Sequence, residues 1–273
     1  MYQSNICAYI IVMSNRDALL KTVFDNHTIT TETIRTTTFY KILDTRGKNC
    51  ITFHYYTDTD GIECIGIGGL DRCSLYTGTE LLNKIEEFAK KASIKRLHLE
   101  DASHIKLCDN IIIRLYYLDI LCTGQSWYNK HGYKSEYHHK ELAHNREFIN
   151  RPMIDIIKND EEYLMLSNIL NPNAKKPDVN GTVQEVFVQL KRYLINNGDN
   201  CSDPVVVENL KFIRDLIKAI GKHYIKYDGE LLDKEIVING GTKSSTARDT
   251  FGSTKRMGKK SKKSRRGKTA RKQ

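Results

Sequence analysis

Residues 63–99 read ECIGIGGLDRCSLYTGTELLNKIEEFAKKASIKRLHL, and the hydrophobic period changes twice within them. Glu63 to Gly69 is a short apolar run closed by glycines, which reads as a strand. Leu81, Leu82, Ile85, Phe88 and Ala89 then recur at three and four residues, so an amphipathic helix is predicted up to about Ser93. Ile94 to Leu99 alternates and predicts another strand. Strand, loop, helix and strand in this order make two neighbouring parallel strands, because the helix carries the chain back to the end where the first strand began.

Upstream, the pattern is an antiparallel meander. Thr28 to Thr38 is rich in β-branched residues and favours extended backbone. Phe39–Leu43 and Cys50–Tyr56 form a strand pair joined through a turn at Thr45–Asn49, and Asp58–Gly61 turns the chain into Glu63. Gly66, Gly68 and Gly69 permit a turn or bulge at the strand end; no further glycine opens a helix at the distance a nucleotide fingerprint needs. The apolar run Ile6–Met13 is too short for a membrane span, lacks the flanks of a leader, and reads as a buried strand. A short helix follows, with Leu19, Leu20 and Val23 on one face.

Downstream, Ile112, Leu115, Leu118 and Leu121 predict a helix over 111–121, stopped by Thr123 and Gly124. Beyond Asn150 the strand signal ends. Helices are predicted at Tyr163–Leu170, Val183–Ile195 and Val205–Tyr224, separated by prolines and glycines. The expected organisation is an α/β (α+β) domain over 1–150 with a mixed sheet flanked by helices, a small all-helical domain over 151–228, and a disordered tail over 229–273.

Charge is unevenly placed. The chain carries +10 in all, yet residues 240–273 hold thirteen Lys and Arg against one acid, Asp249, so the remainder is close to neutral. With few apolar residues to bury, this tail is expected to be disordered, and its cations Lys259, Lys260, Lys262, Lys263, Arg265, Arg266 and Lys268 are candidates for contact with nucleic acid or another polyanion. If six met phosphates, affinity would fall with a log–log salt slope of about −5. A targeting signal or a solubilising arm is the plainer reading of the same residues. Seven scattered cysteines without a C-x-x-C pair argue against a zinc ribbon or a secreted framework and for reduced thiols inside a cell, in cytoplasm or nucleus.

Residues 124–133, GQSWYNKHGY, hold the chain's only tryptophan. Ser126 followed three residues later by Asn129 starts a short helix, and Gly132 ends it where a positive φ is wanted. On that reading Trp127 and Tyr128 are anchors against a sheet. The order of elements together with Trp127, Tyr128, Lys130, Gly132 and Tyr133 also resembles the GNAT superfamily of N-acetyltransferases, whose second half closes on an aromatic-Tyr-x-Lys-x-Gly-aromatic motif. The likeness covers roughly residues 60–137. It implies acetyl-CoA as cofactor, with Tyr76, Thr77, Gly78 and Thr79 as the loop that offers backbone N–H groups to its pyrophosphate. Gly78 fits the last position of that loop pattern, Tyr76 stands at its earlier glycine, and Arg72 is one residue out of register. The likeness further implies Tyr128 as the acid that protonates the departing thiolate, with Glu63 or Glu100 as the base.

Asp101 and Ser103 read as cap or turn residues at a strand end. His138, His139, His144 and Glu141 miss the helical spacing of a metal pair and read as a solvated surface, so no metal is expected. Two function classes remain. One is an acetyl-CoA-dependent N-acyltransferase acting on an amine. The other is a degenerate GNAT-like binding protein with a nucleic-acid-contacting tail and a helical module for a protein partner. The tail's style is similar to that of proteins from large DNA viruses of eukaryotes, which implies an association with virions. No membrane partner is expected.

Overall fold

Two aspartates build the first half of the sheet. The computed structural model describes residues 15–238 apart from 26, 36, 72, 75, 109 and 174–178. The predicted strand at 6–13 and the tail from 240 lie outside the described residues. After helix α1 (15–23), strands β1 (Thr28–Ile34), β2 (Thr37–Leu43), β3 (Asn49–Thr57) and β4 (Glu63–Leu70) form an antiparallel meander. The Asp44 carboxylate accepts the N–H groups of Arg46 and Lys48, both at 2.9 Å, and closes the β2–β3 turn. Asp58 accepts those of Asp60 and Ile62 in the same way before β4. Each turn is completed by a glycine at positive φ, Gly47 and Gly61. A register shift between Thr52 and Phe53 forms the bulge that the β4 glycines foretell.

Helix α2 (Gly78–Lys91) then crosses over to β5 (Arg96–Leu99), which lies parallel to β4. The full order is β1-β2-β3-β4-β5-β8, where β8 (Leu232–Glu235) returns from the far end of the chain to pair antiparallel with β5. One sheet face carries Tyr40, Ile42, Phe53, Ile65, Ile67, Leu97 and Leu99 into a core closed by Leu20, Val23 and Phe24 of α1 and by Leu81, Leu82, Ile85, Phe88 and Ala89 of α2. Those five α2 residues are the ones whose spacing predicts the helix, and cutting a fully buried Phe88 to alanine would cost about 3–5 kcal/mol.

A second core lies among helices. Strands β6 (His104–Leu107) and β7 (Ile111–Arg114) form a hairpin, followed by α3 (Leu115–Thr123), α4 (Trp127–Lys130), α5 (His138–Ile149), a 3-10 turn at Met153–Asp155, α6 (Asp160–Leu170), α7 (Val183–Asn197) and α8 (Pro204–Tyr224). The whole is a mixed α+β architecture with a mostly antiparallel sheet.

The structure departs from the sequence expectations in four places. Ile111–Arg114 is strand rather than helix: three consecutive isoleucines suit either state, and pairing with β6 decides, leaving Ile111 and Ile113 inward and Ile112 outward. Residues 229–238 are not tail, since they supply β8 and the buried Leu232 and Ile236. The helices beyond 151 share their core with Leu107, Ile113, Leu118 and Phe148, and the described residues belong to one contact unit. Four cysteines expected as thiols are paired, Cys50 with Cys73 and Cys108 with Cys201, while Cys64 and Cys122 are free and buried.

Candidate functional site

Strands β4 and β5 stay together for four residue pairs, from Cys64 with Arg96 to Ile67 with Leu99. Beyond that point β4 continues to Leu70, whereas β5 stops and the chain turns off through Glu100 and Asp101 towards the β6–β7 hairpin. A cleft of about 640 Å³ opens in the gap. Its walls are the end of β4 from Ile67 to Asp71, the hairpin from Ala102 to Lys106, and Leu99, Leu115 and Tyr128. Backbone at the freed edge of β4 has no strand beside it among the described residues, so it is open to hydrogen bonding by a ligand.

The stretch GQSWYNKHGY closes this cleft. Ser126 caps α4: its hydroxyl accepts the Asn129 N–H at 3.2 Å, and the Asn129 side chain answers to the Ser126 N–H at 3.2 Å and the Tyr133 carbonyl at 2.9 Å. Gly132 has φ +89°, as expected of the residue that ends the helix. Tyr133 is fully buried, and Trp127 lies across the start of α2, where a Cβ on Gly78 would stand 3.2 Å from the indole. His131 adds a ring contact to Trp127 and a 3.4 Å contact from Nε2 to the Thr79 hydroxyl. The motif and the start of α2 are therefore one packed unit. Tyr128 is held within it, half-buried at the cleft; burial first, then the nearby Asp101 and Asp71 carboxylates, push its phenol pKa well above the usual value. Its proton stays on at neutral pH, the state a general acid requires.

The loop into α2, which follows the last β4-side residue lining the cleft, Asp71, is occupied by its own side chains. Thr77 and Glu80 form a capping box: Glu80 Oε2 accepts the Thr77 N–H at 2.7 Å and the Thr77 hydroxyl at 3.0 Å, and these bonds hold the Glu80 carboxyl below its usual pKa. The Gly78 and Thr79 N–H groups have no partner among the described residues. The Tyr76 ring stacks on His27 at 4.9 Å and lies under the Lys84 ammonium. A diphosphate at this helix end would have to displace the Glu80 carboxylate to reach the Thr77 N–H.

Of the two candidate bases, Glu100 lines the cleft with Tyr128. Glu63 does not: it begins β4, about 23 Å of extended chain from Leu70, and is ion-paired at 2.5 Å to Arg16. Lys48 and Lys106, which no motif singles out, bring positive charge to the cleft that Asp71 and Glu100 also line, and His104 adds an imidazole.

Behind Tyr128 is a buried polar network. The Tyr227 hydroxyl reaches Asp101 Oδ2 at 2.6 Å and Ser126 Oγ at 2.9 Å, and the Ser103 hydroxyl donates to Asp101 Oδ1 at 2.5 Å. Asp101 and Ser103 thus form a turn, as expected, and Ser103 also lines the cleft. Tyr227 is more than a hundred residues away in sequence and carries no motif. The expected solvated surface at 138–144 holds for His139 and His144, which are exposed, but not for His138 and Glu141, which are buried. Glu141 accepts from Ser135 and from the Asp228 N–H, and His144 meets the Tyr224 carbonyl, so Glu141 and His144 anchor residues 224–228 beneath the network.

His27, Cys50 and Cys73 converge within 4.8 Å, but the two sulfurs are bonded to each other and are not available as a ligand pair. The tail cations Lys259 to Lys268 lie outside the described residues. No protein-family model matches the chain, and a search of curated proteins finds no similar sequence.

Proposed function

We propose that this chain is a binding protein on a GNAT-like frame, in which the cofactor end of the cleft serves structure and the basic segment from 240 contacts nucleic acid. One observation carries the first half: the Glu80 carboxylate sits on the Thr77 N–H at the α2 terminus, where an anionic cofactor would need that donor. The parallel pair that parts beyond Ile67 and the packed GQSWYNKHGY turn support the GNAT-like frame. Thirteen cations on 34 residues support the second half. An intracellular location, in cytoplasm or nucleus with virion association, belongs to this reading.

Calorimetry with acetyl-CoA tests the cleft. Binding weaker than millimolar is expected, and micromolar binding overturns the proposal. Deleting 240–273 tests the tail: retention on duplex DNA at low salt is expected to disappear, and unchanged retention refutes that part.

A second reading, an active acetyl-CoA-dependent N-acyltransferase on an amine, is favoured by the placing of Tyr128 beside Glu100 in the cleft. Acyl transfer that Tyr128→Phe lowers at least a hundredfold would establish it over the first.

A further inference from the structure

A second cavity, of about 480 Å³, lies between the β6–β7 hairpin and α8, away from the cleft. Arg214, Lys218 and Lys222 recur at every fourth residue of α8, so the three cations climb one side of the helix about 6 Å apart. Arg114, exposed on β7, lines the same cavity. Asp215 is the one acid among the lining residues, and both its oxygens are taken by Arg214, at 2.9 and 2.7 Å. Arg114, Lys218 and Lys222 form no ion pair among the described residues. With Arg214 paired to Asp215, three unpaired cations round one groove of a body that is otherwise close to neutral repel each other and are relieved by a polyanion.

The groove also has an aromatic wall. The Tyr116 and Tyr117 rings lie 4.4 Å apart, and Ile112 beside them is 47% exposed. Tyr117 is fixed by a close approach: at Gly221 of α8 a Cβ would come within 2.5 Å of the ring, so only glycine lets the ring lie there. Cations spaced along a helix beside ring faces are the chemistry of single-stranded nucleic acid, whose phosphates and unstacked bases are both available. A duplex hides its bases, and an acidic peptide does not place a flat ring beside each of its charges as a single strand does.

We propose that this groove binds single-stranded nucleic acid, with phosphates on Arg114, Arg214, Lys218 and Lys222 and a base against Tyr116 and Tyr117. The assignment does not depend on the tail or on the cleft.

The test uses the full chain with 12-mers of uridine or thymidine carrying one 5-iodo base, irradiated and mapped by mass spectrometry. Adducts at Tyr116 or Tyr117 are expected, and the two arms show whether RNA or DNA is preferred. In anisotropy titrations, Arg114→Gln/Lys218→Gln/Lys222→Gln is expected to weaken binding about tenfold at 150 mM salt and to lower the log–log salt slope by about 2. Tyr116→Leu is expected to weaken oligonucleotide binding severalfold while leaving polyglutamate binding unchanged. The substituted cations are exposed, and an unchanged Trp127 emission checks the fold. Adducts confined to 240–273, an unchanged slope in the triple variant, or equal losses for oligonucleotide and polyglutamate in Tyr116→Leu would each overturn the proposal.

Discussion

Trp127 rests on Gly78: the space where a side chain would begin on the first residue of α2 is filled to 3.2 Å by the indole of α4. This contact joins the turn that closes the cleft to the helix that crosses between its parallel strands. Gly78→Val should therefore push α4 off α2, costing about 1–3 kcal/mol of stability as overpacking does. The chain's single tryptophan makes the readout unambiguous, and a red-shifted emission with a lower urea midpoint is expected. A wild-type spectrum and midpoint would show that the packing is slack.

Tyr227 and Tyr128 flank the same network and should behave oppositely. Tyr227→Phe removes the donor to Asp101, which is 5% exposed, and the oxygen that accepts from the fully buried Ser126 hydroxyl, leaving both short of a partner. A loss of about 1–3 kcal/mol is expected in chemical denaturation. Tyr128→Phe breaks no hydrogen bond to the described residues, and its midpoint should stay near wild type. Equal effects from the two substitutions would contradict the network as drawn.

Much of this was legible in sequence where the signal is local. The α2 stripe of Leu81, Leu82, Ile85, Phe88 and Ala89, the turns at Thr45–Asn49 and Asp58–Gly61 and the positive φ at Gly132 follow from spacing and residue type alone, though the closing role of Asp44 does not. The capping box is legible too, since Thr77 with Glu80 three residues on is a helix-start signature. What was not legible is non-local. Nothing in the spacing of Tyr227 and Asp101 announces their bond, and β8 looks like the start of a tail because its four residues LDKE are mostly charged. Ile111–Ile113 shows the remaining kind of failure, a run whose period fits two states until a neighbouring strand chooses between them.

The Cys108–Cys201 bond ties the hairpin to the loop before α8 across 93 residues of chain. Closing so long a loop restricts the unfolded chain strongly, and Cys108→Ser/Cys201→Ser is expected to cost about 2–4 kcal/mol under oxidising conditions. With reductant present, wild type and variant should denature together. A variant as stable as wild type without reductant would mean that the bond does not form in solution.

Acid should weaken the fold well before the carboxylates protonate. His27, His54, His98, His131 and His138 all have imidazole pKa values pushed below the ordinary 6.5, by burial first in every case; Lys84 adds to this at His27, Lys234 at His131 and Lys134 at His138. His138 is 6% exposed with an Nδ1 that has no partner, and the His54 ring lies where a Cβ on Gly66 would stand. Because the folded values are depressed, the unfolded chain takes up protons first as pH falls through about 6.5. The stabilisation from keeping these rings neutral is complete above that pH and is lost progressively below it. Urea midpoints should therefore drop between pH 7.5 and pH 5.5, and His138→Gln should flatten the dependence. A midpoint that holds or rises on acidification would mean that these rings are protonated in the folded chain.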